Sequence, residues 1–344
     1  MKAAVLTGLK KIEIADIPPP IIQNDTDVLL KIEMAGVCGS DIHYYETGRI
    51  GSQVIKYPFV VGHECAATVM RTGKNVIRVK TGDRVAVEAA VCCHQCDQCK
   101  SGRENTCRNL KFLGCPGQLS GCFCEYIVMP EDCCFAIDND MSFEKAVMCE
   151  PLAIGLYAVQ RANLTTNSSI AVLGAGPIGL SCVLAAKNNG INRFYITEKI
   201  EERIKLAQNT SPAWIGNPLE QNVVQEIIKF EPNGVDFVFE CAGQQETIDQ
   251  AVEILKPGGK LMLIGIPRQA CITLSADLIR RKEITLINVR RQNNFTKKCV
   301  DLVQSGQIKP DFMVTHRFKL EDIKEVFEIV SGYCDGVLKA LIEI

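Results

Sequence analysis

The stretch Ser169-Ile-Ala-Val-Leu-Gly-Ala-Gly-Pro-Ile-Gly-Leu180 constrains the fold more than any other. A short run of buried-strand character enters Gly174-Ala-Gly-Pro-Ile-Gly179, and helical sequence from Leu180 to Asn189 leaves it. A glycine turn between a buried strand and a helix is the phosphate-binding corner of a doubly wound parallel sheet. Gly174 allows the tight turn, Gly176 lets the backbone approach a pyrophosphate, and Gly179 lets helix and strand pack closely. Pro177 and Ile178 complete the set, and the helix N–H groups and dipole favour phosphate charge. The alternation continues downstream. Strands are expected at 193–197, 235–240, 260–265 and 284–289, and helices at 201–208 and 246–255. Strands alternating with helices imply an α/β domain with a parallel sheet covered on both faces.

The text before about Pro151 is different: rich in Gly and Cys, with short β-type runs such as Val28 to Met34, Ala66 to Met70 and Arg84 to Glu88. These predict an irregular, mainly β domain. Two helical patterns, 296–305 and 320–331, occupy the tail.

Glu198 ends the second strand, 19 residues after Gly179. A carboxylate there hydrogen-bonds the adenosine ribose hydroxyls and repels a 2′-phosphate, which predicts NAD over NADP. Lys199 and Arg203 temper that preference, because a cation accepts the extra phosphate. The alternative is a glycine turn with no ligand.

Charge and hydropathy exclude other classes. The 38 basic and 40 acidic side chains are well mixed and the net charge is −2, so no basic face for nucleic acid is expected. The start, Met-Lys-Ala-Ala-Val-Leu, is too short and too charged for a signal peptide. The uncharged stretch 162–186 carries Asn163, Thr165, Thr166, Asn167, Ser168 and Ser169 and then a glycine turn, so it reads as strand, turn and helix and not as a membrane span. A soluble, cytoplasmic protein is expected.

The chain has 18 cysteines, a density well below that of disulfide scaffolds. Isolated ones such as Cys65, Cys182 and Cys241 read as small core residues. Cys93-x2-Cys96-x2-Cys99-x7-Cys107 is different. Four thiolates at that spacing suit a closed, tetrahedral, structural zinc site. A disulfide pair and an iron–sulfur cluster are the competing readings. A more scattered set, Cys38, His63, Glu64 and Glu150, offers sulfur, nitrogen and oxygen donors that could hold zinc with one position open. Buried structural residues are the competing reading of that second set.

Cys38-Gly-Ser-Asp-x-His43, Gly62-His-Glu64, the cysteine lobe, Gly82-Asp-Arg-Val85 and the glycine turn occur in one order. The chain thereby resembles the zinc-dependent medium-chain dehydrogenase/reductase family over nearly its whole length. Asp41-Ile-His-Tyr-Tyr-Glu-Thr-Gly-Arg-Ile-Gly51, Glu150-Pro-Leu-Ala-Ile-Gly155 and Val314-Thr-His-Arg-Phe318 resemble its sorbitol/xylitol dehydrogenase branch. The resemblance implies a Rossmann domain at 152–288, a GroES-like catalytic domain at 1–151 and 289–344, and an NAD-linked oxidation of a polyol to its ketose. It implies two zinc ions, one structural and one catalytic. Cys38, His63 and Glu64 would be catalytic-zinc ligands, with Glu150 either a ligand or the holder of a metal-bound water. Ser40 and His43 would relay the proton, and Tyr44 would line the pocket. Ile264, Gly265 and Ile266 would touch NAD, and Val289-Arg-Arg-Gln-Asn293 would place Arg290 and Asn293 near substrate and cofactor. Arg291 stands where the branch usually has Tyr, and a cation there would favour a phosphorylated or carboxylated substrate, or face solvent. The intact cysteine lobe departs from the mammalian sorbitol enzymes, which lack most of it, and the resemblance thereby moves toward microbial polyol, threonine and alcohol dehydrogenases. A homo-oligomer, dimer or tetramer, is implied, with the edge strand 284–289 available for pairing. The competing functions are a dehydrogenase for a sugar-alcohol phosphate, an aldonate or threonine, and a non-catalytic zinc- and NAD-binding sensor.

Overall fold

A computed structural model describes residues 1–344. The chain divides into two compact units, Met1–Glu150 with Thr296–Ile344, and Pro151–Phe295. The stretch from Val289 to Phe295, assigned above to the first domain, packs with the second unit. Phe295 packs its ring, tilted by 52°, with its centroid 5.9 Å from that of Tyr157.

The first unit is built on a sheet whose central strand, Asp27–Gly36, pairs antiparallel with Glu64–Thr72, Tyr126–Pro130 and Lys339–Glu343. From Val28 to Ile32 the central strand alternates buried and half-buried, so one face carries Val28, Leu30 and Ile32 into the core. The C-terminal strand Lys339–Glu343 lies buried between Asp27–Gly36 and Val314–Lys319. It brings the end of the chain to the strands that flank Cys38 and Glu64.

The second unit holds a six-stranded parallel sheet. Across it the strands run Trp214–Gly216, Arg193–Thr197, Ser169–Leu173, Val235–Glu240, Leu255–Leu263 and Thr285–Asn288. Numbered in chain order that is 3-2-1-4-5-6, the dinucleotide-binding arrangement with its switch point between the first and fourth strands. Ser169–Leu173 is wholly buried, as a central strand covered on both faces must be. Thr285–Asn288 is the exposed edge.

Among the elements not anticipated, three bear on the domain division and the parallel sheet. Phe143–Ala162 is one helix with Pro151 inside it, so the change of sequence style at Pro151 falls within an element. Trp214–Gly216 and Val223–Phe230 supply the third strand and its following helix. No helix is long and apolar enough to cross a membrane.

Candidate active site and metal centres

Cys38 ends the approach from the central strand and caps the helix Gly39–Thr47. Asp41 fixes that corner. Its Oδ2 accepts the Cys38 N–H at 3.0 Å, and its Oδ1 accepts the Gly62 N–H at 3.1 Å while lying 3.5 Å from His63 Nδ1. One fully buried carboxylate therefore joins the Cys38 turn to the His63 turn. The backbone before His63 is enclosed by glycines. A Cβ on Gly121 would lie 2.1 Å from the Val61 carbonyl, and one on Gly114 would lie 2.5 Å from that of Gly62. Phe112 packs its ring 5.3 Å from the imidazole.

The ligand atoms of Cys38, His63 and Glu64 all lie within 4.8 Å of one another. Burial alone would lower the His63 pKa, but the charges of Asp41 and Cys38 outweigh it and raise the value well above normal. Glu64 is 1% exposed, and both of its oxygens accept from Lys339 Nζ, at 2.8 and 2.6 Å. The same ammonium donates to the Val37 carbonyl at 3.1 Å. Sequence reasoning missed Lys339. The available signal was a lone lysine in the apolar run Val337-Leu-Lys-Ala-Leu-Ile342.

Glu150 belongs to the same unit, and its electrostatic neighbours include His63 and Glu64. Its Oε2 is buried with no hydrogen-bond partner. Burial, the largest influence, pushes its carboxyl up to about 8. A buried orphan acceptor costs desolvation energy unless something meets it, and a cation or a cation-bound hydroxyl does so. The donor set S, N and O with an additional unpaired carboxylate oxygen suits zinc.

Ser40 and His43 stand three residues apart on the helix, hence on one face. Both are half-buried, whereas Asp41, Ile42, Tyr44 and Tyr45 are buried. Tyr44 Oη donates to Gln53 Oε1 at 3.2 Å and lies 3.8 Å from Cys115 Sγ.

The four-cysteine lobe is assembled. Cys93, Cys96, Cys99 and Cys107 place their sulfurs within 4.8 Å of one another. Individual separations are 3.4 Å for Cys93–Cys107, 3.6 Å for Cys96–Cys99 and 3.9 Å for Cys96–Cys107. Tetrahedral Zn–S bonds of about 2.3 Å require S···S of about 3.8 Å, and a disulfide requires about 2.05 Å. The spacing fits the metal and excludes the disulfide. Cys92 is outside the cluster, its thiol directed at the Glu104 carbonyl at 3.4 Å. Backbone N–H groups of Gln95 and Cys96 bring the Cys93 thiol down to about 6, which favours the thiolate a metal needs.

In the second unit, Gly174 has φ 98° and Gly179 lies so near it that a Cβ there would meet the Gly174 carbonyl at 1.9 Å. Only glycine fits that contact. The helix Pro177–Asn188 begins with Pro at its first turn. Glu198 Oε2 accepts the Ala175 N–H at 2.8 Å, and Oε1 accepts those of Lys199 and Ile200 at 2.7 and 3.1 Å. The carboxylate is thereby fixed against the glycine turn. Arg203 is buried, with Nη1 3.7 Å from where a Gly176 side chain would begin. Ile264, Gly265, Ile266, Val289 and Arg290 share the wall of one cavity of about 370 Å³ at the carboxyl ends of the strands. Arg290 is exposed and Arg291 is half-buried, with φ 54°.

Comparison with known proteins agrees with this geometry. The family model described as alcohol dehydrogenase GroES-like domain matches residues 24–139, and that described as zinc-binding dehydrogenase matches residues 177–305. The chain belongs to the zinc-dependent medium-chain dehydrogenase/reductase family. A sorbitol dehydrogenase of Bacillus subtilis is 37% identical over 343 residues, 99% of this chain and 97% of that protein. An L-idonate 5-dehydrogenase of Vitis vinifera is 33% identical, covering 95% of this chain and 90% of the other. Such relatives place the chain in the polyol dehydrogenase branch. Among solved structures, an oxidoreductase/dehydrogenase of unknown specificity from Escherichia coli superposes with a TM-score of 0.94 at 29% identity, covering 100% of this chain and 99% of that one.

Proposed function

We infer that the protein is a zinc-dependent, NAD-linked dehydrogenase that oxidises a secondary alcohol of a polyol, such as sorbitol or xylitol, to the ketose. The observation that carries this reading is the convergence of Cys38, His63 and Glu64 beside a buried Glu150 oxygen that nothing in the protein satisfies. When bound, zinc supplies the Lewis acidity that favours an alkoxide, and NAD accepts the hydride.

The residues divide the remaining work. Cys38, His63 and Glu64 would surround the ion. Lys339 neutralises Glu64 and orients both of its oxygens, while the unpaired Glu150 Oε2 would be available to accept from a substrate hydroxyl. Asp41 orients His63 from the Nδ1 side, as partners behind metal-bound imidazoles do. Ser40 and His43, on one face of their helix, would pass the hydroxyl proton toward water. Tyr44 and Glu150 would engage neighbouring hydroxyls, and a site of such polar groups rejects substrates that leave them unpaired. Glu198 would hold the adenosine ribose and favour NAD over NADP. The cysteine lobe would hold a second, structural zinc.

All 18 cysteines are thiols, which suits the reducing cytoplasm. The exposed edge strand Thr285–Asn288 offers unpaired backbone groups to a second copy, and we place a dimer or tetramer there. The test is Cys38→Ser. It should abolish turnover in an NAD-reduction screen over hexitols, pentitols, their phosphates, aldonates and threonine, while NADH binding survives. Full turnover in the variant would refute the metal-site assignment. Activity confined to threonine, aldonates or phosphates would move the substrate class.

A further inference from the structure

Glu240 is a buried carboxylate, 1% exposed, that the proposed chemistry leaves unused. It ends the fourth strand of the parallel sheet, Val235–Glu240, at the carboxyl edge where such sheets bind ligands. Its Oε1 accepts the N–H groups of Ala242 and Gly243 at 2.9 and 2.7 Å. The Thr247 hydroxyl lies 2.8 Å from the same oxygen and 2.8 Å from the Gln244 carbonyl, so its single proton serves one of the two. The Glu240 carbonyl in turn accepts the N–H groups of Ile264 and Gly265 at 3.0 and 2.9 Å.

One residue thus ties together two loops, the turn from Ala242 to Thr247 and the strand exit from Ile264 to Ile266. Those loops touch backbone to backbone. A Cβ on Gly265 would lie 2.3 Å from the Gly243 nitrogen and 2.7 Å from Glu240 Oε2, and one on Gly243 would lie 2.6 Å from the Ile266 carbonyl. Both loops, with Val289 and Arg290, wall the 370 Å³ cavity. At its other end the turn abuts the phosphate corner, since a Cβ on Gly174 would lie 3.1 Å from the Ala242 nitrogen. The fourth, fifth and sixth strands form the half of such a sheet that takes the second mononucleotide, here the nicotinamide one.

We propose that Glu240 is a positioning residue for the nicotinamide half of the cofactor. Its carboxylate and carbonyl hold the two loops at the separation that defines the cavity, while the adenosine half is held independently by the glycine turn and Glu198. This rests on the NAD reading above. A buried carboxylate with no ion-pair partner carries a desolvation cost, and convergent N–H donors offset it.

The experiment measures binding of NADH and of ADP-ribose, which lacks the nicotinamide, to zinc-loaded wild type, Glu240→Ala, Glu240→Gln and Thr247→Val. Losing hydrogen bonds to a charged acceptor should weaken NADH about tenfold or more in Glu240→Ala. ADP-ribose should stay within about twofold, because its contacts lie on the other half. Glu240→Gln keeps an acceptor oxygen and should restore NADH binding to near wild type. Thr247→Val should weaken NADH only, by less than Glu240→Ala. KM for NAD should rise more than kcat falls. If Glu240→Ala does not fold, Thr247→Val decides the matter through the same selective loss. Equal losses for NADH and ADP-ribose, or none in a folded Glu240→Ala, overturn the proposal. Failure of wild type to bind either ligand would instead overturn the NAD reading.

Discussion

Lys339→Met provides the sharpest test of how the metal centre is built. Lys339 and Glu64 are each 1% exposed, with N···O separations of 2.6 and 2.8 Å. Met fills similar volume but removes the charge, leaving the Glu64 carboxylate buried without its cation and the Val37 carbonyl without a donor. Removing one partner of such a pair costs about 3–5 kcal/mol, much of it the uncompensated charge. For a unit of roughly 200 residues that corresponds to a fall of roughly 6–20 °C in Tm. Equilibrium urea unfolding of zinc-free protein, followed by circular dichroism, measures it. Glu64→Gln combined with Lys339→Met should recover a large part of the loss, since two neutral groups replace the orphaned charge. A loss below about 1 kcal/mol, the range of exposed pairs, would refute the reasoning. So would a double variant no more stable than Lys339→Met alone.

Three other outcomes are expected. Gly179→Ala puts a methyl 1.9 Å from the Gly174 carbonyl, so NADH affinity should fall more than about tenfold, while metal content measured by mass spectrometry stays at the wild-type value. Cys99→Ser should lower bound zinc by one equivalent and lower Tm, yet leave NADH titration unchanged, because the cysteine lobe and the glycine turn belong to different units. Burial, chiefly, and the Glu231 carboxylate raise the Tyr195 hydroxyl to about 12. A raised folded-state pKa contributes stability that is complete below the unfolded tyrosine value of about 10 and disappears as pH rises through the folded one. Tyr195→Phe should therefore flatten the loss of stability between pH 10 and about 12, read as urea midpoints across that window.

What the sequence determined by itself was local. The turn from Gly174 to Gly179 was legible because its requirements are met within a dozen residues, and the strands Arg193–Thr197 and Val235–Glu240 fall where the apolar runs lie. The cysteine lobe was legible for the same reason, its four sulfurs spanning 15 residues of chain. Periodicity gave no warning of the helix Phe143–Ala162, whose Pro151 reads as a breaker. A strand of three residues, Trp214–Gly216, is too short to show a pattern.

Only the tertiary structure decided what surrounds Glu64. Lys339 reaches it across 275 residues of sequence, because the C-terminal strand lies against Asp27–Gly36. No spacing rule relates residues joined that way. The same pairing of distant strands determines that Glu64 has both oxygens engaged while Glu150 keeps one free. That difference between two carboxylates is a matter of packing, and composition and motif are silent on it.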